Sequence, residues 1–216
     1  MDSAGEEQGI PFRAIPVASA LYNAGWEVVW FDQELDLDRA DRTEEFRRAI
    51  ERARAVFFWT NELTPAVQTR NVFAIASRIR RWDPSLTLAV GGSFVSLCPE
   101  SVLFGEGFPV DYFLRDHGEE SAPRFLEALE GRAGWESVPG LVDPQEGRGN
   151  PLGEGGRLLP EHTILYRLLD LSAYRQSNGG IFGNAQPTFH VGTGRGCAKH
   201  CTFCYWTNFP PTFLPA

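Results

Sequence analysis

The chain has 216 residues, of which 43% are hydrophobic and 22% are charged. These values are ordinary for a folded domain and exclude a disordered chain. A run of about 18 apolar residues, which a membrane span requires, does not occur, and the polar residues 1–8 are not a secretory signal. We therefore expect a cytoplasmic protein without a membrane partner. The net charge of −8 argues against a nucleic-acid partner.

Helical and strand patterns alternate along the first part of the chain. The predicted helices cover residues 15–25, 43–54, 65–82, 99–104 and 118–129. The predicted strands cover residues 26–31, 55–59, 86–90 and 110–114. Such alternation implies parallel strands joined by right-handed crossovers. The sequence therefore predicts an α/β fold with a doubly wound parallel sheet.

The start of this fold departs from the usual pattern. A doubly wound domain has about five or six strands, whereas four are predicted here and the chain enters the pattern at a helix. The polar residues 2–9 do not suit a buried strand. Either the first strand is missing, or residues 10–14 are a short remnant of it.

Composition divides the chain into three regions. Residues 1–130 hold the α/β domain with its incomplete first strand. Residues 131–187 are a linker rich in glycine and proline, with a short strand or hairpin near residues 138–142. Residues 188–216 open with a predicted strand over residues 188–191 and contain a group of cysteines.

Three of the four cysteines lie within eight residues, directly after a glycine-rich turn. Cys197, Cys201 and Cys204 are spaced Cys-x3-Cys-x2-Cys. Three thiolates are too few to close a tetrahedral zinc site, but they are the number that a 4Fe–4S cluster with one open iron requires. The alternatives are zinc with a histidine as fourth ligand, and thiols without a metal. The fourth cysteine, Cys98, is expected to be a small buried side chain.

The segment over residues 194–204 reads GRGCAKHCTFC and resembles the signature of the radical S-adenosylmethionine enzymes, including Phe203 before the third cysteine. In that family the three cysteines bind three irons, and S-adenosylmethionine chelates the fourth. One electron from the cluster then cleaves the sulfonium and releases a 5′-deoxyadenosyl radical. The resemblance implies a 4Fe–4S cluster, S-adenosylmethionine and a reductant such as flavodoxin or ferredoxin. Arg195 and Lys199 would offset the negative charge of the cluster.

Motifs upstream resemble those of radical enzymes that carry a cobalamin-binding domain of flavodoxin-like fold. They are Val90-Gly91-Gly92-Ser93-Phe94 followed by Pro99-Glu100, then Val110-Asp111-Tyr112 and Gly118-Glu119-Glu120. This resemblance covers roughly residues 15–206 and implies cobalamin at the carboxyl ends of the strands. The residues it offers as cobalamin contacts are Thr60, Gly91, Gly92, Ser93, Gly118 and Glu119.

The sequence thus predicts a cobalamin-dependent radical S-adenosylmethionine enzyme. Reductive cleavage of S-adenosylmethionine would be followed by methyl transfer or rearrangement on a small-molecule substrate. Only 12 residues follow Cys204, so we expect a truncated catalytic barrel, assign no catalytic residue and leave open whether this chain alone is an enzyme. The alternatives are a non-catalytic cobalamin-binding module with a vestigial cluster loop, and an α/β domain with a structural zinc loop.

Overall fold

A sheet with helices on both faces forms the core of the computed structural model. The described residues are 14–32, 40–60, 65–105, 107–115, 117–153, 166–169 and 201–203. Within them the α-helices are α1 (Ile15–Asn23), α2 (Ala40–Ile50), α3 (Pro65–Trp82), α4 (Ser93–Leu97), α5 (Glu100–Leu103) and α6 (Ser121–Leu129). The strands are β1 (Ala55–Thr60), β2 (Thr87–Gly92), β3 (Tyr112–Leu114), β4 (Leu141–Asp143) and β5 (Arg148–Gly149). Short 3-10 turns lie at Trp135–Ser137 and Tyr166–Leu168.

The five strands follow one another in the sheet in the order β1-β2-β3-β4-β5. β1, β2 and β3 are parallel, and Phe58 pairs with Val90, which pairs with Phe113. β4 and β5 are antiparallel additions. The α/β class is therefore confirmed, but the sheet is mixed rather than wholly parallel, because a hairpin rather than a crossover helix supplies its last two strands.

Each face of the sheet buries its own apolar cluster. The face covered by α2, α3, α4 and α5, here called the α3 face, buries Phe46, Ile50, Val72, Ala76, Ile79, Leu88, Val90, Val95, Leu103 and Phe113. The face covered by α1 and α6, here called the α1 face, buries Val17, Leu21, Ala89, Leu114, Phe125, Leu126 and Leu141. Because side chains alternate across a strand, neighbouring residues such as Ala89 and Val90 lie in different clusters. This covering of both faces explains the apolar run in β2.

The predicted strand over residues 26–31 is wrong as a sheet strand. The side chains alternate as in a strand, since Trp26 and Val28 pack on the α1 face while Glu27 and Val29 are exposed. The structure nevertheless assigns these residues to no strand. The physical reason is that alternation predicts a local shape, whereas a strand also needs a neighbour to which its backbone can bond.

The 3-10 turn before β4 stacks on β3, and an amide joins the residue after β5 to this turn. The Trp135 ring stacks on Tyr112 with 5.1 Å between centroids. The Asn150 side-chain amide donates to the carbonyl oxygens of Trp135 at 2.7 Å and Val138 at 2.9 Å.

Among the helices that the structure describes, none combines the length and the apolar character that crossing a membrane requires.

Candidate functional site

The three parallel strands end at one edge of the sheet, here called the carboxyl edge. β1 ends at Thr60, β2 at Gly92 and β3 at Leu114. α1 begins near this edge, because Val17 in its first turn lies against Gly118 in the loop between β3 and α6. Open α/β sheets bind ligands in the crevice outside this edge. The six residues predicted from the cobalamin resemblance all lie there.

The hydroxyl groups at the carboxyl edge are bonded within the sheet. Thr60 is 2% exposed, and its Oγ1 donates to the Gly91 carbonyl oxygen at 2.9 Å. Ser96 Oγ donates to the Gly92 carbonyl oxygen, also at 2.9 Å. Ser93 is buried at the start of α4. These bonds hold the end of β2 between β1 and α4. The main role of the Thr60 hydroxyl is therefore to join the ends of β1 and β2.

The glycines of the carboxyl edge make room for a tryptophan. A Cβ built on Gly91 or on Gly118 would overlap the six-membered ring of Trp59. Gly92 has a φ of +102°, and a Cβ there would overlap the Thr60 backbone. The indole of Trp59 therefore lies across the end of β2 and reaches the loop after β3. Sequence reasoning missed Trp59, because a glycine required by an internal ring and one required by a ligand give the same signal.

A cation at this edge is Arg115, which directly follows β3. Its Nη1 lies 3.5 Å from Oε1 of Glu100, the first residue of α5, and its backbone N–H donates to the Gly140 carbonyl oxygen at 2.9 Å. Glu119 is half-buried in the loop that precedes α6. The carboxyl edge thus combines a flat apolar ring with a paired cation.

Asp111 of the Val110-Asp111-Tyr112 motif lies at the opposite edge. Its Oδ2 accepts from the Leu88 backbone N–H at 2.7 Å and pairs with the guanidinium of Arg80 in α3. The Asp111 backbone N–H in turn donates to the Leu88 carbonyl oxygen at 2.9 Å. The motif residue therefore ties β2 and β3 to α3. It has a structural role and does not contribute to the carboxyl edge.

Of the cysteine segment the structure describes residues 201–203. Cys201 is half-buried with a free thiol, and Phe203 is 90% exposed. Cys197 and Cys204 lie outside the described residues, as does the predicted strand over residues 188–191. Within the described ranges no three metal-binding side chains come together. Three thiolate donors fit the chemistry of an iron–sulfur cluster, and their ligation of one stays a prediction.

Cys98 differs from the clustered cysteines. It is a free thiol that packs against the apolar cluster of the α3 face. Burial raises the pKa of its thiol, and the nearby Arg115 partly opposes this rise. A thiol held in the neutral form is a poor metal ligand and a poor nucleophile. Cys98 therefore packs against the core as expected from the sequence, but it is half-buried rather than buried.

Comparison with known proteins gives one informative similarity. No family model matches the chain, and no solved structure matches it. The chain is 32% identical over 197 residues to hopanoid C-3 methylase of Methylococcus capsulatus (strain ATCC 33009 / NCIMB 11132 / Bath). The match covers 89% of this chain and 35% of the relative, so the chain spans about a third of the length of that curated protein. The similarity supports a relation to a methylase family.

Proposed function

We propose that this chain is part of a cobalamin-dependent radical S-adenosylmethionine methylase. The observation that carries the proposal is the GRGCAKHCTFC segment in a chain that is 32% identical to a methylase over most of its length. The α/β sheet with its open carboxyl edge supports the cobalamin part. The chain spans about a third of the length of its relative. The complete reaction is therefore proposed for the whole protein and not for this chain alone.

In this proposal the residues of the cysteine segment hold the cluster and its charge. The thiolates of Cys197, Cys201 and Cys204 would bind three irons, which leaves the fourth iron to S-adenosylmethionine. When bound, the cluster supplies the electron that cleaves the sulfonium. Arg195 and Lys199 stand beside the cysteines without a neighbouring acid. Their charges would stabilise the anionic cluster and the carboxylate of S-adenosylmethionine.

The carboxyl edge is the proposed cobalamin site. The ring of Trp59, which fills the space beside Gly91 and Gly118, would supply apolar surface there. Bound cobalamin would supply the methyl group to be transferred. Titration with hydroxocobalamin should shift the visible spectrum of the corrin. A dissociation constant of about 1 mM corresponds to only about 4 kcal/mol of binding free energy. Absence of binding up to about millimolar corrin would therefore exclude cobalamin from the proposed function, and the proposal of an iron–sulfur cluster would stand.

The name of the relative indicates a class of substrate. That protein is named for a hopanoid, so a hopanoid is the first substrate to test. Addition of such a substrate to the whole protein, with S-adenosylmethionine and a reductant, should give a product heavier by one methyl group. Turnover of S-adenosylmethionine without a methylated product would keep the reaction class and exclude this substrate.

Anaerobic reconstitution tests the cluster. Iron and sulfide bound per chain should fall sharply when Cys197, Cys201 or Cys204 is replaced by Ala, because each thiolate holds one iron. Cys98→Ala is the matched control, since Cys98 packs against the α3 face, and it should retain the parent iron and sulfide. If the triple Ala variant kept the same iron and sulfide content, the ligand assignment would be wrong. Stoichiometric zinc in place of iron would support a structural zinc loop instead.

A further inference from the structure

Two arginines, one at each edge of the parallel strands, are buried to a similar degree. The side chain of Arg80 is 24% exposed and that of Arg115 is 19% exposed. A guanidinium carries a permanent charge and five N–H donors. Burying such a group is costly unless protein acceptors replace the water that it loses. The acceptors around each arginine therefore show whether the fold alone accounts for its burial.

The guanidinium of Arg80 is well supplied with acceptors. Its Nη1 donates to the Pro84 carbonyl oxygen at 3.1 Å and also to the Leu86 carbonyl oxygen. Its Nη2 pairs with the carboxylate of Asp111. Two carbonyl oxygens and one carboxylate thus replace water around this charge. The fold alone accounts for the burial of Arg80.

The guanidinium of Arg115 is poorly supplied by comparison. Its Nη1 lies 3.5 Å from Glu100 Oε1, whereas a charge-assisted hydrogen bond is usually about 2.7–2.9 Å long. Its Nε is buried and has no hydrogen-bond acceptor within the described part of the chain. The described residues therefore compensate the burial of Arg115 only weakly.

The carboxylate of Glu100 is placed against the β4–β5 hairpin. A Cβ built on Gly149 in β5 would overlap Glu100 Oε1 and its carboxyl carbon. The side chain of Glu100 is also 40% exposed, so water reaches part of it. Glu100 thus has other neighbours and stays at the long distance of 3.5 Å from Arg115. Part of the Arg115 guanidinium is left for a further acceptor.

Arg115 lies where open α/β sheets bind their ligands. It directly follows β3 at the carboxyl edge, and its backbone N–H is held by the Gly140 carbonyl oxygen at 2.9 Å. α4 contacts β1, β2 and β3 at the same edge. The crevice outside this edge is the usual ligand site of such sheets. The planar fork of an arginine matches the oxygens of a phosphate or a carboxylate, so an anionic ligand group suits this position.

We propose that Arg115 binds the phosphodiester group of cobalamin. This inference rests on the proposed function, in which cobalamin occupies the carboxyl edge. The phosphodiester belongs to the nucleotide part of cobalamin and is the anionic group at its periphery. Its oxygens would be the close acceptors that the guanidinium lacks among the described residues. Arg115 therefore contributes to ligand binding rather than to the stability of the free chain.

Spectroscopic titration of the full chain with hydroxocobalamin and with cobinamide tests the proposal. Cobinamide is a corrin that lacks the nucleotide and therefore the phosphodiester. Arg115→Met removes the charge and should weaken hydroxocobalamin binding about tenfold or more, the effect of a charge-assisted hydrogen bond. Cobinamide binding should not change. Arg132→Met is the matched control, because Arg132 is exposed and pairs with Glu130 at 3.2 Å, and it should leave both affinities unchanged.

Glu100→Gln should act in the opposite direction. It keeps the shape of the side chain but removes the negative charge near Arg115, so hydroxocobalamin should bind about threefold more tightly, the effect of one partly exposed ion pair. Cobinamide binding should again stay the same. A general disturbance of the fold would weaken binding in both variants. If Arg115→Met fails to fold, the titrations of Glu100→Gln still decide.

Urea denaturation of the free chain separates a binding role from a structural one. Arg115→Met should unfold at the same urea concentration as the parent or at a higher one, since it removes a weakly compensated buried charge. A clearly lower midpoint would assign Arg115 to the fold and overturn the proposal. Equal weakening of both corrins, or no change in either variant, would also overturn it while the cobalamin site stands. If the parent binds neither corrin, the cobalamin part of the proposed function fails, and this inference fails with it.

Discussion

The two edges of the parallel strands are built from different chemistry. At the amino edge, Asp111 accepts from Leu88 at 2.7 Å and pairs with Arg80, and Arg80 Nη1 donates to the Pro84 carbonyl oxygen at 3.1 Å. At the carboxyl edge, Trp59 lies over Gly91 and Gly118. Both edges contain side-chain hydrogen bonds, but a charged pair contacts the strand backbone at the amino edge, whereas a ring lies over bare backbone at the carboxyl edge. The difference indicates that contacts at the amino edge fix the alignment of the strands, whereas the carboxyl edge presents an apolar surface.

The largest expected effect is at the carboxyl edge. Gly92→Ala places a Cβ against the Thr60 backbone at a φ of +102°. We expect a loss of about 3 kcal/mol in the free energy of unfolding, measured by urea denaturation. Gly147→Ala is the control, since Gly147 has a φ of +61° but open space around it, and should cost about 1 kcal/mol. Equal losses of unfolding free energy in the two variants would show that the Thr60 backbone moves aside and that its overlap with the added Cβ adds no cost.

A double-mutant cycle sharpens the role of Trp59. Gly91 has an ordinary φ, and the three atoms nearest to a Cβ on it all belong to the Trp59 ring. Gly91→Ala should therefore cost about 2 kcal/mol in the parent chain and about 0.5 kcal/mol or less in the Trp59→Ala background. Urea denaturation of all four proteins gives the coupling energy. An additive cycle would mean that the glycine does not serve the ring.

A smaller loss is expected at the amino edge. Asp111→Asn keeps the shape of the side chain but removes its charge, which weakens the bonds to Leu88 and Arg80. Since both partners of the ion pair are about a quarter exposed, we expect the free energy of unfolding to fall by about 1.5 kcal/mol in Asp111→Asn. Glu44→Gln, in an exposed pair with Arg47 at 3.1 Å, should change the free energy of unfolding much less. Similar losses in both variants would contradict the special role of Asp111.

The smallest effect concerns Cys98, measured in a chain whose three clustered cysteines are replaced by Ala. Burial raises the pKa of the Cys98 thiol, so at about pH 8 less thiolate is present than in an ordinary cysteine. Alkylation by iodoacetamide should be slower in the folded chain than in urea, and the folded rate should keep rising with pH above the range of a free thiol. Equal rates in the two states at about pH 8 would contradict the partial burial of Cys98.

Local patterns predicted much of the fold. β1 and α3 begin where the sequence places them, because an apolar run and a helical repeat are both local signals. The pairing of residues 26–31 was predicted wrongly, since pairing depends on a neighbour that alternation does not reveal. The candidate site was located from glycines and strand ends. The position of Trp59 was not predictable, because it depends on three elements meeting at one edge.

The most direct test of the proposed function is electron paramagnetic resonance of the reconstituted, dithionite-reduced chain with and without S-adenosylmethionine. Three cysteine ligands leave one iron open, so a 4Fe–4S signal should appear and its g values should change when S-adenosylmethionine binds that iron. The Cys201→Ala variant should lose the signal, and Cys98→Ala should retain it. A signal that saturating S-adenosylmethionine leaves unchanged, or no iron–sulfur signal at all, would contradict the assignment to a radical S-adenosylmethionine methylase.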